Sequence, residues 1–80
     1  MAYKTSTEIE TRFRRNLRYL RTKNGLLQDD LAEKVGCQGD LISRYEKGTC
    51  TPMLYRLGQL ADALGVKVGD LTDKELYRGE

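Results

Sequence analysis

The chain has no histidine. That absence removes a common metal ligand and the usual general base, so neither a zinc site nor a histidine-based catalytic set fits the sequence. Two cysteines, Cys37 and Cys50, are too few for a disulfide framework and suit small, partly buried apolar positions. No metal and no cofactor is expected. No apolar run approaches the ~20 residues of a membrane span. The opening MAYKTSTEIE also lacks the apolar core of a signal peptide, so a cytosolic chain without membrane attachment is expected. Alternating strand patterns, internal repeats and low-complexity segments are absent too. The nearest paired carboxylates, Asp29 and Asp30, fall at a solvated helix start, and no nucleophile–base pair is visible, so an enzyme is the least favoured class.

What remains is helical periodicity in a chain of 80 residues, enough for one domain. A domain of this size buries only about 60% of its unfolded surface, so it depends on good helix packing or on a partner. Met1 to Thr7 is polar and aperiodic and is expected to be a loose arm, with Ser6 or Thr7 capping the helix that follows. In that helix, which ends near Lys23, Ile9, Phe13, Leu17 and Leu20 form one apolar stripe. Asn24-Gly25 stops it. Leu27 then takes the cap position of a second helix opened by Gln28, where an apolar contact across the helix start is expected in place of a polar cap.

Gln28 to Lys47, QDDLAEKVGCQGDLISRYEK, is the centre of the chain. Leu31, Ala32 and Val35 share one face of a short helix. Gly36 follows where a left-handed helix-ending residue belongs, a conformation that costs glycine nothing. A third helix starts near Gln38, repeats the apolar spacing with Leu41, Ile42 and Tyr45, and ends at Lys47-Gly48. Gln38, Asp40, Ser43 and Arg44 point the other way. Gly39, in the first turn, is costly for a helix but lets a ligand approach the backbone closely. Pro52 opens a fourth helix, where its missing N–H costs nothing. There Leu54, Leu57, Leu60, Ala61 and Leu64 make the strongest stripe in the sequence and are expected in the core. Gly65 ends it, a single-turn helix is expected around Val68–Leu71, and Thr72 to Glu80 is a polar tail apart from Leu76 and Tyr77.

Net charge is only +2, but it is unevenly distributed. Residues 1–57 carry 11 Lys/Arg against 7 Asp/Glu, whereas residues 58–80 carry 3 against 5. A basic front suits a polyanionic partner. Arg14, Arg18 and Arg21 form a row on the first helix. The row is either a solvated basic face or a set of phosphate contacts, since Arg grips phosphate with a planar fork. Gln28, beside the free N–H groups of a helix start, is a second phosphate candidate.

These features resemble the Cro-and-repressor type of helix-turn-helix domain, also called the xenobiotic response element family. The resemblance covers roughly Leu17 to Leu71. It rests on LRYLR at 17–21, Gln28, LA at 31–32, Gly36, ISRYEKG at 42–48, Pro52 and LADALGV at 60–66. It implies an all-α bundle of four to five helices, lambda-repressor-like, with an arm at 1–7, a DNA-binding domain at 8–72 and a tail at 73–80. It also implies that Ala32 packs where two helices cross, and that Arg21 pairs with Glu46 as a structural clamp. The third helix would then enter the major groove, with Gln38, Gly39, Asp40, Ser43 and Arg44 at base edges. Gln28 and the loop Lys47 to Thr51, with Thr49, would meet phosphates. Arg44 is the best base reader, because Arg takes guanine with two bonds. Asp40 departs from the usual neutral or basic residue and suits cytosine N4.

The resulting expectation is a repressor-like transcriptional regulator that binds inverted repeats in double-stranded DNA as a homodimer. Val66, Val68, Leu71, Leu76 and Tyr77 are candidates for the dimer contact, against the alternative that they pack on their own core. No small-molecule effector is evident. A protein-interaction module on the same fold, such as an antitoxin or a partner of an anti-repressor, is the alternative from a different class.

Overall fold

The computed structural model describes residues 6–79, which form five α-helices and a closing 3-10 turn with no strand among them. They run α1 Ser6–Lys23, α2 Gln28–Val35, α3 Gly39–Lys47, α4 Leu54–Leu64 and α5 Val68–Thr72, with the turn at Leu76–Gly79. Each helix is amphipathic and turns its apolar stripe inward. Phe13, Leu17 and Leu20 of α1 meet Leu31, Ala32 and Val35 of α2, Ile42 and Tyr45 of α3, Leu60, Ala61 and Leu64 of α4, and Leu71 of α5 in one core. α2 and α3 pack mainly on each other, and α1 spans the back of the molecule from α3 to α5.

The α2–α3 corner has the geometry its residues dictate. Gly36 sits at φ 78°, ψ 33°, and its N–H returns to the carbonyls of Ala32 and Glu33. Ala32 is buried in the core that α2 and α3 share, where a larger side chain would overpack. Phe13 meets the Tyr45 ring edge-on, with centroids 6.1 Å apart, and so fixes α1 to α3. From α4, Arg56 Nη1 donates to the Val35 carbonyl at 2.7 Å and satisfies the end of α2.

Several expectations need correction. Ser6 and Thr7 lie inside α1, so neither precedes the helix as its cap or belongs to an arm; residues 1–5 lie outside the described residues. Ile9 sits at the exposed margin of the α1 stripe. Leu27 is the N-cap of α2, but its side chain is 69% exposed and packs on little. The helix start is held from the other side, because Asp30 Oδ2 accepts the Leu27 N–H at 2.8 Å. Lys67 and Asp70 repeat this device at α5, at 3.0 Å. Leu54 does not join the core. It lies on the first turn of α4 and is exposed together with Met53 and Tyr55.

The C-terminal segment is docked rather than a free tail. Asn16, polar and fully buried in the middle of α1, is the reason. Its Nδ2 donates to the carbonyls of Asp70 (3.3 Å), Leu71 (2.9 Å) and Lys74 (2.6 Å). Its Oδ1 accepts the Leu76 N–H at 2.9 Å. One amide thus closes the end of α5 and the start of the turn onto α1. Arg12 adds an ion pair to Glu75 at 3.5 Å, and Arg15 lies over the Tyr77 ring at 5.4 Å. In consequence Leu71 is fully buried within its own domain and unavailable as a dimer contact. Val66, Val68 and Leu76 lean on that same core.

Candidate nucleic-acid interface

The exposed face of α3 is the candidate surface. Gln38 is the N-cap of α3, so the helix begins one residue later than expected, at Gly39. Gln38, Asp40 and Arg44 are exposed and Ser43 is half-buried. Asp40, Ser43 and Arg44 lie away from Ile42 and Tyr45, whose burial fixes the rotation of the helix about its axis, while Gln38 stands in solvent at the helix end. Asp40 and Arg44, one turn apart, pair at 2.9 Å with both side chains in solvent. Such an exposed pair is worth only about 0.3–0.5 kcal/mol, so Arg44 gives it up readily for a better acceptor. Asp40 also lies in the first turn of α3, where a carboxylate is favoured by the helix dipole.

A Cβ at Gly39 would meet the Asp29 carboxylate, with Asp29 Cα 3.4 Å away at ordinary van der Waals distance. Asp29 is exposed, so its side chain can swing aside and the contact does not by itself require glycine. It does bring a second carboxylate beside Asp40 at the tip of α3.

The end of α3 is clamped. Arg21 Nε donates to Glu46 Oε2 at 2.6 Å and Nη2 to Oε1 at 3.0 Å, while Nη1 donates to the Leu26 carbonyl at 2.7 Å. Gln28 Nε2 joins at 3.2 Å from Glu46 Oε1. The Arg21 and Glu46 side chains are only 11% and 6% exposed. One carboxylate thus ties together the end of α1, the start of α2 and the end of α3. The Gln28 amide, expected to be exposed, is half-buried in this cluster because Glu46 holds it.

The other cationic and polar candidates lie around the same end of α3. Arg14 Cδ stands 3.0 Å from where a Gly48 Cβ would be, and Arg14 shares a cleft with Thr51 and Tyr45. Arg18, one turn further along α1, is exposed, as are Lys47, Thr49 and Thr51. Thr49 closes the helix end, with both its N–H (3.0 Å) and its Oγ1 (3.3 Å) donating to the Arg44 carbonyl. Burial raises the Tyr45 hydroxyl above its ordinary pKa, partly offset by the Arg56 charge beside it, so the ring stays neutral and acts as packing. Arg21 of the basic row is spent on the clamp, Arg14 is half-buried against Gly48, and Arg18 is exposed. Tyr77, read from the sequence as part of a dimer contact, is held between Arg15 and Arg78.

Among the described residues no group of metal-ligating side chains occurs, and no helix is long and apolar enough to cross a membrane. Residues 12–74 match the family model described as a helix-turn-helix domain. The chain is 38% identical over 55 residues to an uncharacterized HTH-type transcriptional regulator of Methanocaldococcus jannaschii, covering 69% of this chain and 83% of that one. It is 34% identical over 67 residues to an uncharacterized HTH-type transcriptional regulator of Archaeoglobus fulgidus, covering 80% of this chain and 96% of that one. In structure it superposes on the hypothetical transcription factor NHTF from Neisseria with a TM-score of 0.81, over 98% of this chain and 90% of that one. At 23% identity that likeness concerns the fold alone. With the Gly36 corner, the buried Ala32 of α2 and a family match over most of its length, the chain belongs to the helix-turn-helix domain family.

Proposed function

We propose that this chain is a cytosolic, repressor-like transcriptional regulator that binds double-stranded DNA as a homodimer on an inverted repeat, with α3 in the major groove. The observation that carries the reading is the exposed polar face of α3, with Gln38, Asp40 and Arg44 in solvent on a helix whose rotation and far end are both fixed. A rigid helix with a free polar face holds its readers in register with base edges. Arg44 reads a guanine once it leaves Asp40, and Asp40 then accepts from a cytosine amine. Gln38 and Ser43 complete the reading set, while Gly39 contributes no side chain. Arg14, Arg18, Lys47, Thr49 and Thr51 neutralise or hydrogen-bond the flanking phosphates. Gln28 serves them indirectly, by orienting Glu46.

Selection of bound duplexes from a random pool, followed by titration at several salt concentrations, tests the proposal. Affinity should fall with a log–log slope of about −0.9 per phosphate neutralised. A chain that shows no duplex affinity at low salt refutes it. The second reading, a protein-interaction module, is favoured by one feature, the carboxylates of Asp29 and Asp40 together at the tip of α3. It predicts a basic protein partner and no such salt slope on DNA.

A further inference from the structure

Met53, Leu54 and Tyr55 are three consecutive large apolar side chains, exposed to 82%, 79% and 79%. With Leu41 and Cys50 they line one open groove at the start of α4. A contiguous apolar patch of a few hundred Å² is about the size of the largest on a typical monomer, and such a patch is often functional. Met53, Leu54 and Tyr55 carry no charge. Arg56 also lines the groove, but its Nη1 is turned onto the Val35 carbonyl at 2.7 Å. A second copy packing on Leu54 and Tyr55 therefore faces uncharged side chains. The C-terminal surface offers nothing comparable, because Leu71 is buried and Leu76 is tied to Asn16.

We propose that the start of α4 is the dimer surface, with Leu54 and Tyr55 of one chain packing on the same residues of a second copy across a two-fold axis. This rests on the homodimeric DNA-binding reading above and supplies the contact that reading lacks. An isologous contact needs one self-complementary patch, and a neutral apolar one satisfies that without charge pairing. Position agrees with it. The patch directly follows the loop that leaves α3, so a partner docked there stands beside the reading helix, whereas the C-terminal turn packs behind α1. Three such side chains offer on the order of 400 Å² per chain, about half of a standard stable interface. The free dimer is therefore weak, and two adjacent half-sites complete it.

Sedimentation equilibrium of the full chain over a wide concentration range, without DNA, tests the surface directly. The expected result is a concentration-dependent dimer that Leu54→Glu abolishes, that Leu54→Lys abolishes, and that an equimolar mixture of the two restores. Circular dichroism should show the same helix content in all three, since Leu54 is exposed. On duplexes, Leu54→Glu should keep its affinity for one half-site and lose the cooperative gain on two. A dimer that survives Leu54→Glu, or that breaks with Tyr77→Glu instead, overturns the proposal. So does a chain that stays monomeric at every concentration and fills two half-sites independently. If Leu54→Glu abolishes the dimer but the native chain binds no duplex, the surface stands and the DNA-binding reading falls.

Discussion

Glu46→Leu should destabilise this domain more than any exposed ion pair could. The side chains of Arg21 and Glu46 are almost completely buried, and the carboxylate accepts three hydrogen bonds, two from Arg21 and one from Gln28. Removing one member of such a pair leaves the other charge buried without its counterion, a loss of about 3–5 kcal/mol. For 80 residues the whole stability is about 4–12 kcal/mol. At about 4–8 °C per kcal/mol, the melting temperature should drop by at least ~12 °C. Arg21→Met should cost about as much, for the same reason seen from the other side.

The double variant separates this account from its rival. With both charges gone, apolar side chains of similar volume fill the space, and replacing a complete buried pair is often neutral or better. What persists is the Leu26 carbonyl and the Gln28 amide without their partners, each worth about 1–3 kcal/mol if water cannot reach it. Arg21→Met/Glu46→Leu should therefore unfold at a higher urea midpoint than either single variant. If the pair behaved as an exposed one, each single change would cost at most ~1 kcal/mol and the two would add. Urea titration followed by circular dichroism reads the difference, and additivity of the two single losses would refute the buried-clamp argument.

Arg44→Ala should weaken specific binding by about 1–3 kcal/mol and relax one base position in a selected site; unchanged discrimination at every position removes Arg44 from the reading set. Asp40→Ala, which releases Arg44 from its ion pair and removes a carboxylate from the tip, should raise non-specific duplex affinity, measured by anisotropy at fixed salt. Asn16→Leu strips four hydrogen bonds from the docked C-terminal segment, and hydrogen exchange at the Leu76 amide should rise to the rate of an exposed turn. Ala32→Leu should cost about 1–3 kcal/mol by overpacking the core that α2 and α3 share, read as a lower urea midpoint. The Lys74 ammonium and the Lys67 N–H hold the Asp70 carboxyl below its ordinary pKa of 3.8, so its contribution is full above that value and is lost as pH falls through the folded pKa. Acid should therefore loosen α5 and the segment after it, and Asp70→Asn should remove that part of the acid dependence.

Periodicity alone placed the helices, because burial imposes a spacing that survives in one dimension. Leu17, Leu31, Ile42, Leu60 and Leu71 all recur at helical intervals, and all five are fully buried. The Arg21–Glu46 pair was legible only through resemblance, since no local spacing links residues 25 apart. What stayed hidden depends on side chains crossing between elements. Asn16 looks like one more polar residue on a basic helix until four backbone groups of the C-terminal segment are found around its amide. Nothing in the sequence signals that the Asp29 carboxylate, at the start of α2, reaches Gly39 at the start of α3. Leu54 is the instructive failure, because its spacing from Leu57 and Leu60 is perfectly helical. Periodicity reports which face of a helix a residue shares, but not whether that face is covered along its whole length. At the first turn of α4 Leu54 edges a groove shared with Leu41 and Cys50 and stays exposed. An apolar residue left uncovered on a core-spaced position is unfavourable for a lone chain, and the proposed dimer contact would cover it.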